Sequence, residues 1–244
     1  MSDVIGFVAV RAVLRDSPAT ARCVYLQKGR RDARANEVIS MAREAGVRYQ
    51  TVDGAWFKKR VTEGSHQGVL LDCHEQAMAD ESDLKARVAE VGAQALFLVL
   101  DEIADPRNFG ACLRSANAAG CHGVIFPKRN SAPLSAVAQK AAQGGTEGLP
   151  LYAVGNLARC LDDLRQAGVW VVGTAADAPM AYTDYKATGP MAVVLGNEGK
   201  GLRRLTRDKC DELVNIPMFG TVESLNVSVA TGILLFEFVR QRSG

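Results

Sequence analysis

From residue 95 onwards the sequence alternates between short, almost uninterrupted apolar segments and longer amphipathic ones. The apolar segments are rich in Val, Leu and Ile and lie at 95–100, 123–126, 151–154, 169–174, 191–196 and 212–217. Helices are predicted between or after them, near 109–120, 134–142, 156–168, 201–209 and 224–241. Strands without a polar face, separated by helices, indicate an α/β fold in which helices cover both faces of a parallel sheet. Ligands of such sheets bind beyond the carboxyl ends of the strands.

The first 73 residues predict a separate, smaller α/β domain. Helical patterns cover 4–14 and 33–45, and strand patterns cover 23–26, 47–52 and 69–73. The segment 56–68, WFKKRVTEGSHQG, is predicted as a loop with an aromatic pair and three consecutive bases. Residues 74–93 are rich in Ala, Asp and Glu and predict a linker that is partly helical at 84–91. The larger domain then spans 94–244.

Composition argues against several classes of protein. The chain has 244 residues, of which 48% are apolar and 23% charged, as in a globular domain. No apolar run approaches the roughly 18 residues of a membrane span, and no signal-peptide pattern opens the chain. The six cysteines form no CxxC pair and have no His at ligand spacing. We therefore expect no metal site and reduced thiols in a cytoplasmic protein.

Charge is unevenly distributed, although the formal net charge is only +2. Residues 19–60 contain ten Lys or Arg and four acids, whereas residues 73–92 contain five acids and two bases. A basic lobe followed by an acidic connector favours a polyanion as the partner of the first lobe. The alternative is a solvated charged surface without a partner.

The loop after the first strand of the larger domain reads DEIADPRNFGACLRSANAAG. Asp105-Pro106 predicts a turn, Asn108 can cap the helix that follows, and Gly110 permits close backbone approach. Arg114 is predicted one turn into that helix. Asn108 and Arg114 are candidate site residues. Alternatively, Asn108 only caps the helix and Arg114 is an ordinary surface residue.

The loop after 191–196 reads GNEGKGL, with three glycines in six residues. This pattern predicts a backbone cradle for a nucleotide-like ligand. It matches neither the dinucleotide fingerprint nor the P-loop. Glu198 disfavours phosphate, so we expect a ligand that is neutral or cationic there. The alternative is a tight turn that needs glycines for its geometry alone.

The third loop lies in the segment 216–238, IPMFGTVESLNVSVATGILLFEF. Pro217 ends a strand, Ser224 takes the position of a helix cap, and Asn226 is predicted one residue into a long apolar helix. Polar residues facing a strand end at a helix start favour a ligand site. Alternatively, Ser224 is only a cap.

Three blocks resemble the three motifs of the SpoU (TrmH) family of RNA ribose 2′-O-methyltransferases, within the knotted SPOUT class. They are DPRNFGACLRSA at 105–116, VVLGNEGKGL at 193–202 and IPMFGTVESLNVSVA at 216–230. The first 72 residues, with HQG at 66–68, are similar to the substrate-binding domain often fused to this family, whose fold resembles ribosomal protein L30e. Over its whole length the chain most resembles the bacterial members that methylate a guanosine of 23S rRNA.

The resemblance implies a deep trefoil knot, in which residues 212–230 thread past the loop near 196. It implies S-adenosylmethionine as the cofactor, held bent in the knot. The residues that would hold it are Thr174, Gly196, Ile216, Met218 and Leu225. The resemblance also implies a homodimer with an active site that draws on both subunits, and an interface formed by the helix 224–241 and the helix from Gly110.

The implied reaction is in-line transfer of a methyl group from the sulfonium to a ribose 2′-oxygen. The implied catalytic residues are Asn108, Arg114, Glu198, Ser224 and Asn226. Family members assign removal of the hydroxyl proton to the arginine. Because a guanidinium stays protonated in proteins, Arg114 can instead bind the substrate phosphate and stabilise the developing alkoxide. The other four residues would orient the ribose and Arg114.

We expect RNA binding on the basic first lobe, where aromatic rings can stack on bases and cations can contact phosphates. The residues assigned to RNA are Arg30, Arg31, Trp56, Lys58, Lys59, Arg60 and His66. Alternatively, Trp56 and Phe57 are core residues of this lobe.

Three other functions remain open from the sequence. A non-catalytic RNA-binding or ribosome assembly factor would not need five catalytic residue types together. An oxidoreductase would need a G-x-G-x-x-G fingerprint after the first strand. A tRNA ribose methyltransferase is the third alternative, and the separate N-terminal lobe favours rRNA over it.

Overall fold

The structure is a computed structural model that describes residues 2–243, except for 17, 31, 62–65, 74–77, 133 and 147. Contacts between Cα atoms divide the chain into two compact units, residues 1–76 (unit 1) and 77–244 (unit 2). In the described part of the chain, no helix is both long and apolar enough to span a membrane.

Unit 1 is a four-stranded mixed sheet with three helices. The strands are β1 (Ser2–Ile5), β2 (Ala21–Gln27), β3 (Arg48–Val52) and β4 (Val69–Cys73). The helices are α1 (Phe7–Asp16), α2 (Ala33–Glu44) and α3 (Gly54–Arg60). The strand order is β1-β4-β2-β3, and only β2 and β3 pair in parallel. Apolar residues at helical spacing on α1 and α2 pack on this sheet, which gives the unit its own core.

Two predictions for unit 1 are wrong. The helix predicted at 4–14 begins only at Phe7, because Val4 and Ile5 pair with β4 and Gly6, at φ +88°, then turns the chain. The predicted loop at 56–68 starts with helix α3. Asp53 caps that helix, accepting a hydrogen bond from the Trp56 amide at 2.8 Å. The apolar segment at 4–14 thus contains both the end of a strand and the start of a helix. For α3, the overlooked signal was the helix cap Asp53.

Unit 2 contains a seven-stranded sheet and six α-helices in its described residues. The strands are β5 (Leu96–Leu100), β6 (Gly123–Pro127), β7 (Leu151–Val154), β8 (Trp170–Thr174), β9 (Met180–Ala181), β10 (Met191–Leu195) and β11 (Glu212–Asn215). The helices are α4 (Glu81–Val91), α5 (Pro106–Ala118), α6 (Ala136–Ala142), α7 (Leu157–Gln166), α8 (Arg204–Arg207) and α9 (Val227–Arg242).

All neighbouring strands of this sheet run parallel, in the order β7-β6-β5-β10-β8-β11-β9. Successive residues of a strand point to opposite faces, so Leu98 packs in the cluster with α5 and α9, whereas Phe97 packs in the cluster with α4 and α7. The prediction of a parallel sheet covered by helices on both faces is confirmed.

Several elements of unit 2 differ in their bounds from the sequence predictions. The helix predicted at 84–91 within the linker is α4, which begins at Glu81, and its Leu84 and Val88 are buried in the core of unit 2. Strand β9 was missed because its two residues are too short for a pattern. The helix predicted at 201–209 is the single turn α8, and the helix predicted from 224 begins at Val227.

Candidate active site

The three loops singled out by sequence follow β5, β10 and β11, at the carboxyl-terminal edge of the sheet. Strand β10 pairs with β5 on one side and with β8 on the other, and β11 lies next to β8. Because all these strands are parallel, the three loops leave the sheet at the same edge. The topology therefore accounts for their proximity.

A hydrogen-bond network centred on the Glu198 carboxylate joins the three loops. Its Oε1 accepts from Asn108 Nδ2 at 2.6 Å, from Asn226 Nδ2 at 2.8 Å and from the Val227 amide at 3.3 Å. Asn226 Nδ2 also donates to Asn108 Oδ1 at 3.1 Å. One carboxylate oxygen thus connects residues up to 118 positions apart in the sequence. Hydrogen bonds to an ionised acceptor are the stronger kind.

The helix starts place the two asparagines differently from the sequence predictions. Asp105, and not Asn108, caps α5, accepting from the Arg107 amide at 2.7 Å, so Asn108 is the third residue of the helix. Asn226 is itself the cap of α9, and its Oδ1 accepts from the Ser228 amide at 2.9 Å. Ser224 precedes the helix, is exposed, and makes no hydrogen bond with a described residue.

The glycine-rich loop is a tight turn that presents Glu198. Asn197 and Gly201 form an antiparallel bridge through two backbone hydrogen bonds of 3.0 and 2.8 Å. A Cβ on Gly196 would lie 2.2 Å from the Gly201 carbonyl carbon, so only glycine fits there. Asn197 Nδ2 also donates to the Glu102 carbonyl at 3.2 Å. The glycines therefore allow the tight turn, and this turn positions the Glu198 carboxylate.

Arg114 lies outside this network. Its side chain is exposed and makes no hydrogen bond or ion pair with any described residue. It is the ninth residue of α5, two turns into the helix and not one. The backbone around it is tightly packed, because a Cβ on Gly145 would lie 2.6 Å from the Arg114 Cα. The close approach expected at Gly110 is to helix α6, where a Cβ would lie 2.1 Å from the Ala138 carbonyl oxygen.

The residues assigned to a cofactor lie at neighbouring strand ends. Thr174 ends β8, Gly196 follows β10 and Ile216 follows β11, and these three strands are adjacent in the sheet. Thr174 Oγ1 donates to the Val194 carbonyl at 3.2 Å. Met218 and Leu225 are half-buried in the loop that follows. Backbone groups at the ends of three adjacent parallel strands are where such sheets bind small molecules.

Cys112 of α5 is a buried thiol that the network does not use. Burial, with a smaller contribution from Glu198, raises the pKa of Cys112 to about 12. A thiol with such a pKa is not a nucleophile at neutral pH. Among the described residues, no three His, Cys, Asp or Glu side chains come together as ligands for a metal ion.

In unit 1, helix α3 carries the aromatic pair and the three bases. Phe57 is fully buried, as in the alternative interpretation, and Trp56 is half-buried and stacks on Tyr25 with ring centroids 4.5 Å apart. Lys58 and Lys59 are exposed and form no ion pair with a described residue. They are the bases of this helix that remain available to a polyanion.

Three other residues assigned to RNA make contacts within unit 1. Arg60 donates to both carboxylate oxygens of Asp3, each at 2.8 Å. Arg30 donates to Asp32 at 2.6 Å and to the Gln67 carbonyl. His66 stacks on Phe57 with centroids 4.6 Å apart. Arg31, which we also assigned to RNA, lies outside the described residues.

Comparison with known proteins identifies the family. The family model described as the SpoU rRNA Methylase family matches residues 95–236. The chain belongs to this family. A second model, described as RNA 2′-O ribose methyltransferase substrate binding, matches residues 4–79. The resemblance seen in the sequence motifs is thereby confirmed.

Relatives match over the full length of the chain. The 23S rRNA (guanosine-2′-O-)-methyltransferase RlmB of Yersinia pestis is 49% identical and covers 99% of this chain and 98% of its own. The protein of the same name from Escherichia coli (strain K12) is 46% identical over 100% of both chains. Among solved structures, the SpoU methyltransferase AviRb from Streptomyces viridochromogenes, in complex with AdoMet, is 25% identical. It matches with a TM-score of 0.74 over 99% of this chain and 91% of its own.

Two partners of the site residues were not predicted. They are the Val227 amide, which donates to Glu198, and Asn197, which fixes the turn. The signal for Asn197 was its place in GNEGKGL directly after a strand. No sequence signal marks a backbone amide as a donor to a side chain 29 residues away.

Proposed function

We propose that this protein transfers a methyl group from S-adenosylmethionine to the 2′-oxygen of a guanosine ribose in 23S rRNA. The names of its full-length relatives support this substrate. The observation that carries the proposal is the Glu198 network, which brings one polar residue from each of the three motifs to a single place.

S-adenosylmethionine fits the chemistry of the strand ends. A sulfonium is cationic, so a carboxylate in the glycine-rich loop favours it, whereas the same carboxylate would repel a phosphate. The backbone at Thr174, Gly196 and Ile216, with Met218 and Leu225 in the following loop, would hold the cofactor. When bound, it supplies an activated methyl group for transfer to an oxygen.

The chain's own residues would position and polarise the ribose hydroxyl. Glu198 Oε1 is occupied by its donors, whereas Oε2 makes no hydrogen bond with a described residue and can accept a hydrogen bond from the hydroxyl. Asn108 and Asn226 fix the orientation of this carboxylate, and Ser224 lies on the same loop to contact the ribose. Correct positioning of two reactants contributes up to about 7–11 kcal/mol in favourable cases.

Arg114 would act through its positive charge. A guanidinium does not deprotonate in proteins, so we assign it to the substrate phosphate and to the developing alkoxide. Its exposure and its lack of partners among the described residues support a role toward a molecule outside the chain.

The assembly proposed is a homodimer that works in the cytoplasm and needs no metal. Helix α9 exposes Val229 and Phe236, each about half accessible, seven residues apart and hence on one face. A second copy of the chain would cover this face, with α5 beside it. Unit 1 would bind the RNA, mainly through Lys58 and Lys59.

A deep trefoil knot is part of the proposal. In the sheet, β10 and β8 lie between β5 and β11. The loop that follows β11 nevertheless returns to Glu198 and Asn108, which follow β10 and β5. A chain segment at 212–230 that passes the loop near 196 would account for this return.

The substitution Arg114→Ala tests the proposed role of the arginine. We expect methyl transfer to be abolished while S-adenosylmethionine binding, measured by calorimetry, stays near that of the wild type. Arg114→Lys keeps the charge but loses the planar donor pair, so it should retain part of the activity. Loss of cofactor binding in either variant would contradict the assignment.

Primer extension at low dNTP on rRNA from a deletion strain tests the substrate. A stop that is absent in the deletion strain and returns with the wild-type gene would identify the methylated nucleotide. An unchanged rRNA, with a methylation missing from tRNA instead, would contradict the 23S rRNA assignment.

A further inference from the structure

Unit 2 has a groove at the same edge of the sheet as the active site. Its volume is about 440 Å³, within the usual range for ligand pockets of roughly 300–1,000 Å³. Three chain segments line it: the end of β6 with the loop that follows, the start of α7, and the start of α8 with the residue before it. Glu102 lines it as well. The groove thus lies at the carboxyl ends of β6 and β7, on the other side of β5 from the strand ends assigned to the cofactor.

The groove is basic. Arg129, Arg203 and Arg204 line it, and its carboxylate is Glu102. Glu102 is already hydrogen-bonded, because Oε1 accepts from Arg203 Nη1 and from Asn130 Nδ2, each at 3.0 Å. Arg203 is held further by Asp101 at 2.7 Å. Arg203 is therefore committed to carboxylates of the chain, and the basic character of the groove comes from Arg129 and Arg204.

Two of the three arginines have charge to spare for a ligand. Arg129 is exposed and forms no ion pair within the described part of the chain. The side chain of Arg204 is 93% exposed, and its contact with Asp208, at 3.8 Å, is long for an ion pair. Exposed pairs of this kind contribute little, so a phosphate can replace the Asp208 contact at small cost.

Uncharged donors complete the lining. Helix α7 starts in the groove at Leu157 and Ala158, and first-turn amides have no acceptor within their own helix. The helix N-terminus also favours an anion. Thr206 lines the groove but is only 1% exposed, so it lies at the floor, and its hydroxyl has no hydrogen-bond partner among the described residues.

The groove adjoins the catalytic loop through shared contacts. The Glu102 carbonyl accepts from Asn197, the residue next to Glu198, while the Glu102 side chain binds Arg203 and Asn130 of the groove. Glu102 therefore links the catalytic loop to the groove.

We propose that this groove binds the phosphodiester backbone of the substrate RNA beside the ribose that is methylated. This inference rests on the proposed function, because it takes RNA as the substrate. The groove would hold the strand in the methyltransferase unit itself, in addition to any contacts made by unit 1. Its cations and amides suit phosphate oxygens, which are read without regard to sequence.

Equilibrium binding of the wild-type protein and of Arg129→Glu to a 23S rRNA transcript, over a series of salt concentrations, tests the proposal. We expect Arg129→Glu to bind roughly tenfold more weakly and to lower the slope of log K against log salt by about 1. Lys186→Glu is the matched control: Lys186 is an exposed base of unit 2 that, like Arg129, forms no ion pair with a described residue, and it does not line the groove. Equal effects of the two variants would overturn the groove as a phosphate site.

Thr206→Val separates ligand contact from charge. Valine keeps the shape of the side chain and removes the hydroxyl. If the hydroxyl donates to a phosphate, the variant binds the transcript more weakly although its thermal stability is unchanged or higher. Unchanged affinity would remove Thr206 from the proposed site.

The proposed function can fail independently of the groove. Wild-type methyl transfer to the transcript tests the reaction. The ratio of the binding constants of Arg129→Glu and Lys186→Glu tests the groove and needs no turnover. A wild-type protein that binds the transcript without methylating it would contradict the reaction and leave the groove test valid. A wild-type protein that does not bind the transcript would overturn the groove.

Discussion

Two sets of residues were assigned to function from sequence: the polar residues of the three motif loops in unit 2 and the basic residues of unit 1. The two sets have different arrangements in the structure. In unit 2, Asn108, Glu198 and Asn226 meet in one network although they lie in three separate loops. In unit 1, the bases of one short helix divide: Arg60 binds Asp3, whereas Lys58 and Lys59 are exposed.

The difference shows how far each kind of sequence pattern determines the position of a side chain. A polar residue in the loop or helix start that follows a buried parallel strand lies at one edge of the sheet, so several such residues can come together there. A basic residue in a charged segment has no such constraint, and its role depends on whether an acid is nearby. Asp3 is 57 residues from Arg60 in the sequence, so composition alone cannot show that the two pair.

Removing the centre of the unit 2 network should give the largest effect. In Glu198→Ala, the donors of Asn108, Asn226 and the Val227 amide lose their common acceptor. Misplacement of reacting groups by about 1 Å costs on the order of 10²-fold in rate, so we expect at least this reduction in methyl transfer. The measurement is incorporation of labelled methyl groups into 23S rRNA at saturating S-adenosylmethionine.

Glu223→Ala is the control for this reduction. Glu223 is an exposed carboxylate of the same polar loop as Ser224, and it makes no hydrogen bond with a described residue. We expect close to wild-type transfer. If both variants lose activity equally, the network at Glu198 has no special role, and the contrast between the two units disappears.

Sequence could predict the sheet of unit 2 and the place of its site, because continuous Val, Leu and Ile segments are hard to read as anything other than buried strands. It could not predict α3 from the apolar pattern, since only Phe57 of the seven residues is buried, and the cap residue Asp53 was overlooked. It placed Asn226 inside α9, where the residue is in fact the cap, since both asparagine and serine can start a helix. Family resemblance supplied the cofactor, which no pattern in the residues specifies.

A smaller effect, on stability, should distinguish Arg60 from its neighbour Lys59. In Arg60→Ala, Asp3 loses two hydrogen bonds and the buried Asp72 loses a cation 3.6 Å away. Among the described residues, Asp72 would keep only the longer ion pair with Arg22, at 4.0 Å. We therefore expect the free energy of unfolding of unit 1 to fall by about 2 kcal/mol. Lys59→Ala removes the same charge at an exposed site, so its effect should be within about 0.5 kcal/mol.

Urea unfolding followed by tryptophan fluorescence in a Trp170→Phe background measures both variants. Trp56 is then the only tryptophan of the chain, and its ring centroid lies 5.4 Å from the Arg60 guanidinium. A decrease in the free energy of unfolding in Lys59→Ala as large as in Arg60→Ala would contradict this prediction. Arg60 would then stabilise unit 1 no more than an exposed lysine does.

The smallest expected effect concerns the exposed bases themselves. The double variant Lys58→Glu/Lys59→Glu should leave the unfolding free energy nearly unchanged and weaken binding to 23S rRNA. Each RNA phosphate that the protein no longer neutralises should flatten the salt dependence by about 0.7–0.9 in slope. The matched variant is Arg11→Glu in α1, whose arginine already binds Glu37 at 2.7 Å and has little charge to offer RNA. If the double variant changes neither affinity nor slope relative to Arg11→Glu, helix α3 does not contact RNA, and the basic surface of unit 1 is only solvated.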